Sequence, residues 1–191
     1  MRKVERGELL GLAEYEQIRE HFRKRIIEDK RARRIALGPN MTLLFENHDT
    51  ALFQIQEMLR TERITAEAGI EHELATYNEL VPGDRELSAS AFIEYGDREE
   101  RDRMLVELAG VEESFYVSVG AERFAATTHA RGERTDRTTA VHYLKFPLSE
   151  AATTAIVEGT APVSVGVSHK AYSAETKLEP ATLASLAEDL R

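Results

Sequence analysis

The chain has 191 residues and a net charge of −9, and 42% of its residues are hydrophobic and 31% charged, a composition that excludes an intrinsically disordered protein. It contains no cysteine, which excludes disulfides, thiolate metal ligands and a thiol nucleophile. No apolar run reaches the roughly 18 residues of a membrane span, and the N-terminus lacks the apolar core of a signal peptide, so we expect a cytoplasmic protein.

The first predicted element is a long helix over residues 12–36. Apolar residues recur at every third or fourth position and would face the core: Tyr15, Ile18, Phe22 and Ile26. Gly38 and Pro39 end the helix because neither residue favours its continuation. The apolar run from Met41 to Glu46 then predicts a short buried strand.

Two shorter helices are predicted after this strand. Asn47 and Asp49 are suitable N-caps for a helix over residues 50–63. Thr65 can cap a second helix that ends at Pro82. The connection between the two helices is short, so we expect them to pack together as a helical hairpin.

The pattern changes after residue 84 to runs in which apolar and polar residues alternate, as they do in strands. Strands are predicted over residues 87–95, 114–120, 137–146 and 161–169. Helices are predicted over residues 98–110, 149–158 and 181–190. The polar segment from His129 to Arg137 is expected to be an exposed hairpin loop.

These elements predict an α+β fold in which a long N-terminal helix and a helical hairpin pack with a mainly antiparallel sheet. Residues 1–83 would form a mainly helical part, and residues 84–191 would form the sheet with its helices. We expect the two parts to make one compact domain, because the chain length suits a single core.

Familiar site motifs are absent or incomplete. Neither GxxxxGK[ST] nor GxGxxG occurs, so phosphate binding by such loops is not expected. The sequence GVSHK, residues 166–170, lacks the second glycine of a nucleophile elbow. The sequence HELAT, residues 72–76, begins like the zinc motif HExxH but has a threonine in place of the second histidine.

Several polar residues lie beside the apolar stripes of the two short helices. Gln54 and Glu57 are three residues apart on the first helix, and Glu71 and Asn78 are seven apart on the second. Glu46 ends the strand that leads into these helices. If the helices pack as a hairpin, the polar side chains approach one another at the seam.

Two hypotheses account for these residues. The first is a carboxylate-rich pocket that holds a divalent cation such as iron, manganese or zinc. Its candidate ligands are Glu46, Glu57, Glu71 and His72. The second is a structural polar network in which Glu57 pairs with Arg60 or Arg63 and the amides satisfy main-chain groups.

The segment from Arg19 to Arg34 is basic within an acidic chain. It contains eight basic and three acidic residues and carries a charge of +5, whereas the remainder carries −14. The exposed cations are expected to be Arg23, Lys24, Lys30, Arg31 and Arg34. They could bind nucleic acid, an anionic membrane or an acidic partner, or form an ordinary solvated face. The net charge and the lack of interleaved aromatic residues argue against nucleic acid.

A set of short motifs carries a resemblance to a known family. The motifs are FEN at 45–47, QIQEMLR at 54–60, YNEL at 77–80, SHKAY at 168–172 and LAEDL at 186–190. They resemble a bacterial family of domains of unknown function whose genes often neighbour rubrerythrin-like and iron–sulfur oxidoreductase genes. The resemblance implies a role in redox or oxidative-stress metabolism, with a redox protein as partner, and assigns no reaction. It favours the following positions for a shared function: Glu46, Asn47, Gln54, Gln56, Glu57, Arg60, Glu71 and Asn78.

Three functional hypotheses follow. The first is an accessory or binding protein of a cytoplasmic redox or oxidative-stress system, with metal bound at the polar seam. The second is a small metal-dependent enzyme that uses Glu57 as a ligand or general base. The third is binding of nucleic acid or an acidic partner by the basic helix at 19–34. Long charged helices and free sheet edges would also permit a homodimer.

Overall fold

The computed structural model describes residues 1–128 and 136–191. The predicted hairpin loop at His129 to Arg137 therefore lies, except for its last two residues, outside the described residues. Helices in the described part are α1 (Leu12–Arg33), α2 (His48–Thr61), α3 (Glu67–Tyr77), α4 (Arg98–Glu107), α5 (Glu150–Glu158) and α6 (Pro180–Asp189). Short 3₁₀ helices span Arg6–Glu8 and Val111–Ser114.

The strands are β1 (Arg34–Ala36), β2 (Met41–Glu46), β3 (Glu86–Ile93), β4 (Phe115–Val119), β5 (Glu122–Ala125), β6 (Thr127–Thr128), β7 (Val141–Pro147), β8 (Val163–His169) and β9 (Tyr172–Lys177). They form one sheet in the order β1-β2-β3-β7-β6 and a second in the order β5-β4-β8-β9. Every neighbouring pair is antiparallel. The predicted α+β class is thus confirmed, with the strands divided between two sheets.

Alternation along the strands places the main core on one face of each sheet. Phe45 and Phe146 of the first sheet and Phe115 and Val165 of the second belong to one continuous buried cluster. The other face of the second sheet is polar, as expected for an antiparallel sheet that faces water on one side.

A smaller core holds the two short helices and the N-terminal segment together. Ile55 of α2 and Leu74 of α3 are buried with Val4 and Leu9, which precede α1. Helix α1 packs along α2 and reaches β2 and α6. Because α1 lies over the surface of the fold, only a narrow stripe of its residues is buried.

The element boundaries differ from the prediction at several places. Helix α1 ends at Arg33, because residues 34–36 pair with β2 as a short strand. Gly38 has a φ of 69° in the intervening turn, which glycine adopts without strain. The predicted cap at Thr65 is wrong, since Ala66 precedes the first residue of α3 and makes no side-chain cap.

Among the described residues, no helix combines the length and the hydropathy needed to cross a membrane.

Candidate functional site

Glu57 lies at the contact between α1 and α2, where both of its carboxylate oxygens are occupied. The hydroxyl of Tyr15 donates a hydrogen bond of 2.8 Å to Oε1. Arg19 donates from Nε to Oε1 at 2.8 Å and from Nη2 to Oε2 at 2.9 Å. Arg60 Nε lies 3.4 Å from Oε1. These four residues, called the Glu57 network, tie α1 to α2.

The network keeps Glu57 ionised. Hydrogen bonds from Arg19 lower the pKa of Glu57 from 4.5 to about 2, although partial burial opposes this change. Burial and the adjacent carboxylate raise the pKa of Tyr15, so its hydroxyl stays neutral and donates. Arg19 also lies 3.4 Å from the carboxylate of Glu20, so the two arginines of the network are matched by two carboxylates.

Gln56 and Asn78, both predicted site residues, bind the main chain of the N-terminal segment. The Gln56 side chain accepts from the Leu10 N–H at 2.9 Å and donates to the Leu10 carbonyl at 3.0 Å. Asn78 makes the same paired contact with Val4, at 2.8 Å and 2.9 Å. Both amide side chains are buried, and each satisfies two main-chain groups that lie outside any helix or strand. They therefore fasten the N-terminal segment to α2 and α3.

Glu46 and Asn47 stand where β2 leads into α2. Glu46 is 6% exposed, and Ser90 Oγ donates to its carboxylate at 2.6 Å. Asn47 is the N-cap of α2, because its Oδ1 accepts from the Thr50 N–H at 3.0 Å. The cap satisfies one of the free N–H groups at the helix start, so Asn47 has a structural role that its position predicted.

A buried ion pair joins the ends of α1 and α6 beside this cap. Arg33 and Asp189 are 3% and 6% exposed, and their closest hydrogen bonds are 2.7 Å long. Burial raises the pKa of Asp189, whereas Arg33 and the Asn47 side chain oppose this change. Arg33 belongs to the basic segment but is inaccessible to a partner.

The candidate metal ligands do not come together. Glu46 is buried beside Ser90, Glu57 is bound by Arg19, and Glu71 and His72 are exposed on α3. In residues 1–128 and 136–191, no group of three or more histidine, aspartate or glutamate side chains is arranged to hold a metal ion. Gln54, half-buried on α2, belongs to none of the contacts described above.

The predicted basic residues occupy different environments. Arg23 and Lys24 are exposed on the outer face of α1, and neither forms an ion pair with a described residue. Arg31 pairs with a glutamate of the same helix. Lys30 and Arg34 lie over phenylalanine rings. The outer face of α1 is therefore the part of the basic segment that is open to a partner.

A groove of about 260 Å³ opens between α1, α2 and the end of the N-terminal segment. Its apolar lining residues are Leu10, Ile18, Phe22 and Leu52, and its polar lining residues include Glu8, His21, Arg25 and Gln56. Ile18 is 45% exposed, although the stripe on α1 predicted that it would face the core. This is called the α1 groove.

The walls of the α1 groove are held by aromatic contacts. Phe22 meets Tyr15 and Phe53 edge to face, with ring centroids 6.3 Å and 5.6 Å apart. The Arg25 guanidinium lies 5.0 Å from the Phe22 ring centroid. Tyr15 also belongs to the Glu57 network, so the network stabilises the base of the groove.

His21 connects the α1 groove to a second depression of about 480 Å³ on the outer face of α1. That depression is lined by the cations Arg23, Lys24 and Arg31, by the carboxylates Glu20 and Glu28, and by Ile27. Helix α1 thus presents an apolar groove next to a face on which three cations outnumber two carboxylates, with Arg31 paired to Glu28. The two together are called the α1 surface.

Sequence reasoning missed the partners of the predicted residues and the α1 groove itself. Tyr15 and Arg19 are four residues apart and therefore share one side of α1, which is a signal that could have marked them as a pair. Nothing in the sequence indicates that Glu57 of another helix would meet them. The exposure of Ile18 likewise depends on where α1 lies against α2.

Comparisons with known proteins identify relatives along the whole chain. A family model described as "Protein of unknown function (DUF3501)" matches residues 3–190. The crystal structure of a protein of unknown function from Burkholderia pseudomallei K96243 is similar over 100% of both chains, with 36% sequence identity and a TM-score of 0.93. No curated protein matches the chain.

Proposed function

The chain belongs to the DUF3501 family of proteins of unknown function, and we propose that it is an accessory protein that binds an acidic partner protein through its α1 surface. The observation that carries this proposal is the α1 groove, where large apolar side chains are open to solvent. Ile18 and Leu10 are 45% and 36% exposed. Clustered apolar exposure of this kind is typical of an interaction site.

The shape of the site favours a segment of a protein as its occupant. An amphipathic helix can place its apolar side chains in a groove and leave its polar side chains over the rim. The aromatic contacts of Phe22 hold one wall in place, so little ordering is needed on binding. A partner segment with one or two apolar anchors fits a groove of about 260 Å³.

Charge gives the surface its selectivity for an acidic partner. The whole chain carries −9, so an acidic protein is repelled by most of the surface. Arg23 and Lys24 are exposed beside the groove, and they attract acidic residues that flank an apolar anchor. Complementary charge of this kind fixes orientation and accelerates association.

A redox protein is the partner we propose, because the chain's motifs resemble a family for which the resemblance implies genes beside those of rubrerythrin-like and iron–sulfur oxidoreductase proteins. An accessory role is preferred to catalysis by Glu57. Both of its oxygens accept hydrogen bonds, and with a pKa of about 2 it is a poor general base at neutral pH.

Binding of the purified rubrerythrin-like and iron–sulfur proteins of the same organism tests the proposal. Burial of one isoleucine contributes about 1.5–3 kcal/mol, so Ile18→Asp should weaken the complex by about tenfold or more. Val106 is 53% exposed on α4, and Val106→Asp is the matched control. Affinity should also fall with salt. If neither candidate binds, or if Ile18→Asp binds as well as wild type, the proposal is wrong.

A further inference from the structure

A row of polar side chains crosses the outer face of the second sheet, away from the α1 surface. The strand register aligns one residue from each strand: Arg123 of β5, Ser118 of β4, Ser164 of β8 and Lys177 of β9. Neighbouring strands are about 4.8 Å apart, so the row is about 14 Å long. Two hydroxyls thus lie between two cations. These four residues are called the cationic row.

A depression of about 410 Å³ lies over the cationic row, and all four of its residues line it. Arg123 and Lys177 are exposed, and within the described residues neither is engaged in an ion pair. The turn at Gly120 and the residue Pro162 close one end of the depression. The site is therefore concave and has two cations available to a ligand.

Packing beside the row fixes the position of Arg123. Its guanidinium lies 3.8 Å from the centroid of the Tyr116 ring. That ring passes over Gly166, where a Cβ atom would overlap it. The Tyr116 hydroxyl then donates to Glu175 on β9 at 2.7 Å. Glycine at position 166 therefore leaves room for the Tyr116 ring, against which the Arg123 guanidinium packs.

Glu175 also lines the depression and keeps its negative charge, because two neutral hydroxyls donate to its carboxylate and lower its pKa. Ser164 donates to one carboxylate oxygen at 2.6 Å and Tyr116 to the other at 2.7 Å. A carboxylate has about four acceptor sites, so Glu175 can still accept a hydrogen bond from a hydroxyl or amine. The charged residues that line the depression, Arg123, Lys177 and Glu175, therefore leave a surplus of one positive charge, which suits a single phosphate group better than a long polyanion such as nucleic acid.

From this arrangement we infer that the cationic row binds the phosphate group of a small phosphorylated molecule. Arginine and lysine are the usual cations for phosphate, and arginine can donate two parallel hydrogen bonds. Ser118 supplies a further donor at the centre of the row. Glu175 would accept from a hydroxyl or amine on the rest of the ligand. This site is independent of the proposed partner binding.

Titration with inorganic phosphate at constant ionic strength, followed by the amide resonances of the ¹⁵N-labelled full chain, tests the inference. We expect saturable shifts at Ser118, Ser164 and Lys177. Loss of one charge-assisted hydrogen bond raises the dissociation constant about tenfold, so Arg123→Gln and Lys177→Gln should each have at least this effect. Lys170 is exposed in the turn between β8 and β9, and Lys170→Gln should bind like wild type.

Three results would overturn the inference. The first is the absence of saturable shifts at the row. The second is equal affinity for phosphate in wild type and Arg123→Gln, with both proteins folded by their amide spectra. The third is an equal affinity for succinate, which would indicate general anion binding instead of a phosphate site.

Discussion

Replacing Glu57 by glutamine should lower the free energy of unfolding by about 2–3 kcal/mol at neutral pH. The change removes the charge that accepts hydrogen bonds from Tyr15 and Arg19. The pKa of Glu57 falls from 4.5 to about 2 in the folded state, which corresponds to about 3 kcal/mol at about 1.4 kcal/mol per pKa unit. The side chain is 21% exposed, and screening by solvent reduces the expected value to about 2–3 kcal/mol.

The pH dependence of this stabilisation has a defined direction. The folded-state pKa of Glu57 lies below its ordinary value of 4.5. Its contribution is therefore complete above that value and is lost as the pH falls through the window from 4.5 to about 2. The difference in free energy between wild type and Glu57→Gln should shrink by roughly half between pH 6 and pH 3.

Urea unfolding of both proteins at pH 6 and pH 3 measures this difference. Glu62→Gln is a matched control, because Glu62 is exposed at the C-terminal end of α2. The free energy of unfolding of that variant should stay within about 0.5 kcal/mol of the wild-type value. A Glu57→Gln protein as stable as wild type at pH 6, or destabilised equally at both pH values, would refute the reasoning.

Three further predictions concern the contacts around the site. Arg33→Ala should lower the free energy of unfolding in urea by about 3–5 kcal/mol, because it leaves Asp189 buried and unpaired. The double variant Arg33→Met with Asp189→Leu should recover most of this loss. An Arg33→Ala protein as stable as wild type would contradict the prediction. Asn78→Ala should lower the free energy of unfolding by about 2 kcal/mol and accelerate hydrogen exchange of the Val4 amide, which Asn78 binds. Unaltered exchange at Val4 would contradict the proposed role of Asn78 in holding the N-terminal segment. Gly166→Ala should lower the free energy of unfolding by about 1–3 kcal/mol, because the Tyr116 ring must move to make room for the new methyl group. A thermal unfolding midpoint equal to that of wild type would contradict the close packing of Tyr116 on Gly166.

Elements with a strong local pattern were predictable from the sequence. Strand β2 occupies Met41–Glu46, as its apolar run between turn residues indicates. Helix α5 lies one residue inside its predicted span because Ser149 caps it. In both cases the deciding information, which is hydrophobic patterning and a cap, lies within a few residues.

Elements that depend on distant contacts were not predictable. Strands β1 and β9 alternate between exposed and half-buried or buried residues, and each is a strand only because a neighbour pairs with it. Arg34 extended a helical pattern in the sequence, and β2 overrides that local preference. The strands of the two sheets could not be assigned to separate layers because no local signal distinguishes them.

In the candidate site, too, the sequence identified some of the residues but not their distant partners. Gln56 and Asn78 were identified as site positions, but their partners, Leu10 and Val4, are 46 and 74 residues away in sequence. Glu57 was expected near residues of its own helix, and its main contact is with Arg19 of α1. A sequence can mark a polar residue beside an apolar stripe, whereas the partner is set by how the helices pack.

The most direct test of partner binding is photo-crosslinking in cells from position 18. A photoreactive amino acid replaces Ile18 in the α1 groove or, as a control, Val106 on α4, since both residues are exposed. The proposal predicts one main adduct from position 18, identified by mass spectrometry as an acidic redox protein and absent from position 106. Charge reversal at Arg23 and Lys24 should reduce its yield. No adduct from position 18, or the same adducts from both positions, would contradict the proposal that the α1 surface binds a partner.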